Sequence, residues 1–339
     1  MTRGALAASG LLLVLAGCSE APPAPDDPRP ATSGDGAESP SADRSASAGS
    51  ASGGGRPDGS AVGSRKPDPL AAALDGRPGA PGSPREAAAQ IEAAARAVAD
   101  PGTVPARLAA AGHAQQLAYR AVADRPGWDR RVAALLPATL RRETRANVTA
   151  RRAFRSMHPT RDADLATELP AWRIVEPRPA AELRRYYQEA ERRYGVDWEY
   201  LAAINLVETG FGRIDGTSVA GAQGPMQFIP TTWDIYGQGG DVHDPHDAIL
   251  AAGRLLRANG FARDPSGALY RYNNSSAYVR GVSLYAEVMQ RRPRTYLAYH
   301  QWPIYYLTRA GSIWLPEGYS ERRPVPVRRW LEREGRPAG

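Results

Sequence analysis

One glutamate in the sequence is placed where it could act as a proton donor. A helix is predicted from the three- and four-residue spacing of Trp198, Leu201, Ile204, Asn205 and Glu208. On this helix Glu208 lies on the apolar stripe and in the last turn, where burial and the negative end of the helix dipole both raise the pKa of a carboxyl group. A carboxyl group that stays protonated near neutral pH can serve as a general acid. The plainer alternative is an exposed glutamate at a frayed helix end.

Two neighbouring elements must position this acid. Asp197 is predicted to cap the start of the helix, because its side-chain oxygen can accept a bond from a free N–H of the first turn. Gly210 and Gly212 end the helix and leave open backbone beside the acid. The segment 214–229 is rich in Gly, Ser and Thr and is predicted to be a loop, with at most a small hairpin, lying across the acid.

Three motifs in the second half of the chain occur in the order and at the spacing of a known family. They are Glu208-Thr209-Gly210-Phe211, Gly224-Pro225-Met226-Gln227-Phe228-Ile229-Pro230, and Tyr272-Asn273. Together they resemble the soluble lytic transglycosylase (SLT) domain of bacterial wall enzymes, in the lipoprotein form of the high-GC subfamily. The resemblance covers roughly residues 178–290. It implies a mainly α fold (α+β, lysozyme-like), with a helical extension before the catalytic domain and a small β-hairpin after it.

The activity that the resemblance implies is cleavage of the MurNAc-β-1,4-GlcNAc bond of peptidoglycan, without any cofactor. Glu208 would protonate the glycosidic oxygen and, once deprotonated, would activate the 6-hydroxyl of the same sugar, which closes a 1,6-anhydro ring. Ser218 and Gln227 would line the saccharide groove. Tyr272 would approach the acid, and Asn273 would hold the turn at Tyr272. For Tyr272 the alternative is ordinary core packing.

Two other functions compete with this interpretation. A lysozyme-type hydrolase usually needs a second carboxylate. Asp215 is close in sequence but stands in a Gly-rich turn, where Asp is common for backbone reasons. A non-catalytic peptidoglycan-binding lipoprotein would be expected to have lost the acid, yet Glu208 is present with its loop. The single acid therefore favours the transglycosylase.

A cluster of histidines and aspartates could suggest a metal site. His243 and His246 lie near Asp241, Asp244 and Asp247. Asp244 and Asp247 stand at the cap and third positions of a predicted helix, and that capping role explains the cluster more simply. The region also lacks the acidic series of an EF-hand calcium loop. We therefore predict no metal.

The N-terminus reads as an export signal followed by a lipid attachment site. Residues 1–17 combine a positive start with a short apolar run, and Leu15-Ala16-Gly17-Cys18 resembles the bacterial lipoprotein processing box. By that resemblance Cys18 carries the membrane anchor, and the protein is extracytoplasmic, held at the cell envelope. An ordinary cleaved signal with a stray cysteine is the alternative. Residues 18–82 have almost no large apolar residues and are predicted to be a disordered tether.

The remaining chain divides into three predicted parts. Residues 83–172 form a helical extension, residues 173–300 the lysozyme-like domain, and residues 301–339 a hairpin and a basic tail that we expect to fray. Arginines crowd the predicted helix 138–157, which usually indicates a solvated face, with binding to anionic polymers or lipids as the alternative. The net charge of +7 fits anionic wall polymers or head groups, and no nucleic-acid-binding motif is present. We expect a monomer.

Overall fold

The computed structural model describes residues 68–75, 79–158, 161–218 and 220–334. The predicted signal 1–17, the predicted lipidation site Cys18 and the tether up to residue 67 lie outside these ranges. None of the helices within the described ranges is long and apolar enough to cross a membrane.

The fold is mainly α-helical, as predicted. Its helices, in chain order, are α1 Ala71–Leu74, α2 Pro84–Ala99, α3 Pro105–Ala123, α4 Asp129–Leu135, α5 Ala138–Ser156, α6 Ala180–Tyr194, α7 Trp198–Thr209, α8 Pro230–Tyr236, α9 Pro245–Ala258, α10 Pro265–Tyr272, α11 Ser276–Arg291, α12 Thr295–His300 and α13 Val327–Glu334. Short 3₁₀ turns occupy Pro126–Trp128 and Asp162–Asp164.

The strands are short and pair two by two. They are β1 Glu168–Leu169, β2 Arg173–Ile174, β3 Ile214–Asp215, β4 Ile304–Thr308, β5 Gly311–Leu315 and β6 Val325–Pro326. The antiparallel pairs are β1 with β6, β2 with β3, and β4 with β5. The last pair is the C-terminal hairpin predicted from its aromatic and β-branched residues, with Ile304 opposite Leu315.

Several helix starts follow the predicted capping chemistry, and two differ from it. The Ser83 hydroxyl accepts a bond from the N–H of Glu86 before α2, and Asp244 accepts two backbone bonds at the start of α9. Asp197 stands at the N-cap of α7, but its side chain makes no capping bond. From the sequence we predict Ser276 as the cap of α11, whereas the capping side chain in the structure is that of Ser275.

The predicted extension shares its core with the rest of the fold. One cluster joins Ile91, Tyr119 and Val148 of the extension to Leu201 and Val282 of the following helices. Glycines allow the close approach of helices. A Cβ on Gly281 of α11 would lie 2.2 Å from the ring of Phe154 of α5, and one on Gly112 of α3 would lie 2.7 Å from the carbonyl oxygen of Ala298.

The C-terminal tail is ordered in the described part, so the expectation that it frays is wrong. Residues 327–334 form α13, and Val327 and Trp330 are buried. The ring of Trp330 packs on Tyr319, with centroids 5.0 Å apart. Val327 and Trp330 are three residues apart, so helical spacing places both on one face of an otherwise charged segment.

The predicted tether extends too far toward the C-terminus. Within its last residues Ala71–Leu74 are helical and Leu70 is fully buried against alanines of α2 and α3. Asp68 also forms an ion pair with Arg107 at 2.8 Å. One leucine in a polar segment does not predict a folded segment from the sequence. The packing site for Leu70 is formed by α2 and α3 and becomes visible only in the structure.

Candidate active site

Glu208 lies in the last turn of a helix that is buried on nearly all sides. Glu208 itself is 4 % exposed. The chain then leaves α7 through three consecutive residues with positive φ: Gly210 at 61°, Phe211 at 67° and Gly212 at 84°. A Cβ on Gly210 would lie 2.7 Å from Ile304 of the hairpin, so glycine is required there by space as well as by backbone angle. The non-glycine Phe211 holds a conformation that costs about 1–3 kcal/mol, which its packing must offset.

A buried polar network fixes the loop 221–230 to α7. The Asn205 side-chain amide and the Thr209 hydroxyl both donate to the carbonyl of Pro225, at 2.7 and 2.6 Å. The hydroxyl of Tyr187 donates in turn to the Asn205 carbonyl oxygen at 2.6 Å. Thr209 also accepts a bond from the N–H of Gly212. Because these groups are buried and satisfied, the network holds the end of α7 and the loop in one geometry.

Within the described chain, the side-chain hydrogen-bond partner of Glu208 is a tyrosine of α11. The hydroxyl of Tyr278 donates to Glu208 Oε1 at 2.7 Å, and Tyr278 is 2 % exposed. Burial raises the pKa of Glu208 to about 8, and the hydrogen bond from Tyr278 opposes that shift in part. Burial, together with the Glu208 charge, raises the pKa of Tyr278 well above its usual range. At neutral pH the pair therefore consists of a protonated acid and a neutral phenol.

Glu208 opens into a cavity of about 140 Å³ whose lining is mostly apolar. Its lining includes Asn273 and Tyr278, and also Arg120 of α3 and Arg151 of α5. The hairpin contributes Ile304 and Tyr305 to the lining. The helical extension and the hairpin thus help to enclose the acid. From the sequence, only the loop 214–229 was expected to lie across it.

Of the predicted site residues, Asn273 shares the cavity with Glu208. Asn273 is 2 % exposed, and its side-chain oxygen is buried without a hydrogen-bond partner within the described chain. An unpaired buried acceptor is costly, so this atom is suited to receive a donor from a ligand.

The other predicted contacts are occupied by bonds that shape the loop. Ser218 Oγ accepts from the N–H of Ala222 at 3.0 Å, and the Gln227 side-chain amide donates to the carbonyl of Gly224 at 2.9 Å. Neither Ser218 nor Gln227 is among the residues that line the cavity. Gln227 also has a positive φ of 52°, which places it in the tight part of the loop.

The tyrosine that contacts the acid is Tyr278, whereas the resemblance assigned that contact to Tyr272. The hydroxyl of Tyr272 donates to the carbonyl of Met226 at 2.7 Å, and its ring stacks on Tyr278 with centroids 6.4 Å apart. The hydroxyl on Glu208 is that of Tyr278. In the sequence Tyr278 stands at helical spacing with Val282, Tyr285 and Met289, and a buried tyrosine needs a partner for its hydroxyl. That requirement was the available signal for it.

The aspartate–histidine cluster is assembled, with ligand atoms of Asp244, His246 and Asp247 within 4.8 Å of one another. Each has a protein partner. Asp244 caps α9, Asp247 accepts from the backbone of Asp241, and His246 bonds Glu189 at 3.0 Å. These bonds account for the cluster without a metal ion.

Comparisons with known proteins agree with the geometry over part of the chain. The transglycosylase SLT domain family model matches residues 185–292. A membrane-bound lytic murein transglycosylase F of Thiobacillus denitrificans (strain ATCC 25259 / T1) is 35 % identical over 85 residues, which are 24 % of this chain and 18 % of that protein. The chain thus covers less than a fifth of this relative's length. No solved structure matches the chain significantly. The likeness to the transglycosylase SLT domain thus extends over residues 185–292 of this chain.

Proposed function

We propose that the protein is a peptidoglycan lytic transglycosylase that cleaves the MurNAc-β-1,4-GlcNAc bond and leaves a 1,6-anhydro-MurNAc end, in remodelling of the cell wall. The observation that carries the proposal is the buried Glu208, whose pKa burial raises to about 8, in a cavity where it is the one carboxylate among the described lining residues. A reaction that uses the same acid twice needs no second one.

The chemistry follows from the two states of Glu208. The protonated carboxyl gives its proton to the glycosidic oxygen as the C1–O bond of MurNAc breaks and the GlcNAc 4-hydroxyl leaves. The hydrogen bond from Tyr278 then stabilises the carboxylate that forms. That carboxylate takes the proton of the MurNAc 6-hydroxyl as O6 attacks C1. A C1–O6 bond replaces the C1–O4 bond, and Glu208 regains its proton.

The hydrolase alternative is less well supported by the geometry. A lysozyme-type enzyme would place a second carboxylate across the cleaved bond. Asp215, the nearest in sequence, lies exposed on β3 and pairs with Arg173 at 3.4 Å. It is not among the cavity residues. The third alternative, a non-catalytic glycan-binding lipoprotein, leaves the raised pKa of Glu208 without a use.

Replacing Glu208 tests the proposal. Glu208→Gln keeps the shape of the side chain and removes the transferable proton, so release of soluble fragments from isolated wall should fall by roughly 10⁴-fold or more. Asp215→Asn is the matched control and should release fragments at nearly the wild-type rate. A Glu208→Gln protein with activity close to wild type would remove the mechanism.

The location of the protein is part of the same proposal. A wall enzyme must lie outside the cytoplasm, and the Leu15-Ala16-Gly17-Cys18 sequence offers lipid attachment at Cys18. Two acyl chains suffice for stable anchoring. We propose a monomer anchored in this way and acting on peptidoglycan glycan strands. Fatty-acid labelling that is unchanged in Cys18→Ala would exclude the anchor.

A further inference from the structure

The arginines of α5 are a sequence feature that the proposed reaction does not use. Three of them hold neighbouring elements in place. Arg141 donates to the carbonyl that follows α4, Arg142 pairs with Glu287 of α11, and Arg152 pairs with Asp129 at the start of α4. Arg151 differs from these three because it lines the cavity that contains Glu208.

A second arginine, from α3, lines the cavity with Arg151. Arg120 is 7 % exposed, donates to Ser312 Oγ at 2.6 Å and lies over the ring of Tyr305 at 4.5 Å. These contacts fix its guanidinium group. Arg151 is less constrained, because its Nε is buried and has no hydrogen-bond partner in the described chain.

The arginine pair is short of negative charge. Within the described ranges no ion pair joins a carboxylate to either guanidinium, and Asp124 acts on both only through space. Burial and the nearby Arg151 charge lower the pKa of Arg120 to about 9. Neither arginine contributes to the raised pKa of Glu208, so the acid is not their counter-ion. A buried Arg120 beside a half-buried Arg151 is unfavourable without a carboxylate partner, and an anion in the cavity would relieve the cost.

We propose that Arg151, supported by the fixed Arg120, binds a carboxylate of the peptide substituent on the MurNAc unit being cleaved. This inference rests on the proposed function. The sugars of the glycan strand carry no charge, whereas the peptide on the lactyl group of MurNAc carries free carboxylates. A guanidinium group matches a carboxylate with two parallel hydrogen bonds. The helical extension thereby selects substrate that still bears its peptide.

A phosphate-bearing polymer fits the pair less well. A phosphate attached through O6 of MurNAc would occupy the hydroxyl that must close the anhydro ring. An anion carried by the MurNAc unit that is being cleaved must therefore lie on the lactyl side of that sugar. The peptide carboxylate is the group that meets this condition.

The test compares three preparations of the same glycan strands. One bears intact peptides, one has lost its peptides to an amidase and has the lactyl carboxylates so exposed converted to neutral methylamides, and one has its peptide carboxylates converted to neutral methylamides. Wild-type protein should show a KM for intact strands that is lower by roughly tenfold or more, because a hydrogen bond between charged groups is lost on the other two. Arg151→Gln should raise KM on intact strands to that of the neutral strands, with kcat little changed. Arg151→Lys should recover part of the preference.

Arg145→Gln is the control, because Arg145 is exposed on the same helix and does not line the cavity. It should keep the wild-type preference. Equal KM values of the wild type on all three preparations would overturn the inference, as would an equal loss by Arg151→Gln on all three. Binding of the strands to Glu208→Gln separates the inference from the reaction. Tighter binding of intact strands supports the carboxylate site even if no bond is cleaved, and equal binding refutes it.

Discussion

Glu208 and Tyr278 form the pair on which the proposed chemistry depends. Burial keeps the carboxyl group protonated at neutral pH, and a single phenol hydrogen bond moderates that effect. The hydrogen bond from Tyr278 stabilises the ionised form of Glu208 more than the protonated form, because a charged acceptor forms the stronger hydrogen bond. Tyr278 therefore acts on the step at which Glu208 has lost its proton.

Removing this hydroxyl should move the pH profile in a defined direction. The proposed reaction requires protonated Glu208, so the wild-type rate should fall as pH rises through about 8. In Tyr278→Phe the carboxylate loses its donor, the pKa of Glu208 rises, and the basic limb shifts to higher pH. At pH values below the basic limb the rate should drop roughly tenfold or more, because the hydrogen bond that stabilises the carboxylate is lost. The measurement is kcat/KM as a function of pH.

Tyr272→Phe separates this effect from the loss of any nearby hydroxyl. Its hydroxyl is bonded to the carbonyl of Met226, so the variant should leave the basic limb at the wild-type pH even if the rate changes. Identical limbs in Tyr278→Phe and the wild type would show that the hydrogen bond does not tune Glu208.

For individual residues, the sequence predicts those features that follow from the spacing of residues along one helix. Helical spacing and the glycines after α7 identify Glu208 as a buried acid. The partner of Glu208 is set by how α11 lies across α7, which spacing along one helix cannot show. Gln227 illustrates the same limit, because its contact with Gly224 depends on a positive φ inside the loop.

Among the elements, the contact between α5 and α11 determines how the extension meets the rest of the fold. Gly281 faces Phe154 so closely that a methyl group would overlap its ring. The same face of α5 carries Arg151 into the cavity. Separation of these two helices would therefore disturb both the core and the cavity wall.

Gly281→Ala should lower the free energy of unfolding by about 1–3 kcal/mol, because overpacking outweighs the better helix propensity of alanine. Gly127→Ala is the control, since a Cβ at Gly127 meets no atom within 4 Å. Denaturant unfolding of both variants measures the difference. Equal stability of the two would mean that α5 and α11 are not packed as described.

Elements with strong local signals were predicted well, and those that depend on a distant surface were not. The hairpin β4–β5 follows from its β-branched and aromatic residues and its glycine turn. The C-terminal tail, which contains α13, was expected to fray because it is rich in Arg and Pro. The helix α13 is ordered because the ring of Trp330 packs on Tyr319. This contact between two segments forms only when both are folded, so the composition of the tail does not predict it.

For the whole molecule, Leu70 is the buried residue that ties the start of the described chain to α2 and α3. Removal of residues 19–67 should leave wall cleavage in vitro unchanged, because their composition offers almost no large apolar side chains. Removal of residues 19–82 should cost roughly 2–3 kcal/mol, because Leu70 and its contacts with α2 and α3 are lost. Thermal unfolding of the two truncated proteins is the measurement. Equal melting temperatures would show that Leu70 contributes nothing to the fold.

The product of the wild-type protein tests the central claim most directly. Isolated wall is digested, and the soluble muropeptides are analysed by mass spectrometry beside a lysozyme digest of the same wall. A reaction in which Glu208 serves first as acid and then as base for the 6-hydroxyl should give 1,6-anhydro-MurNAc ends, each lighter by one water than the lysozyme product. Reducing MurNAc ends as the main product would contradict it and would assign the site to hydrolysis.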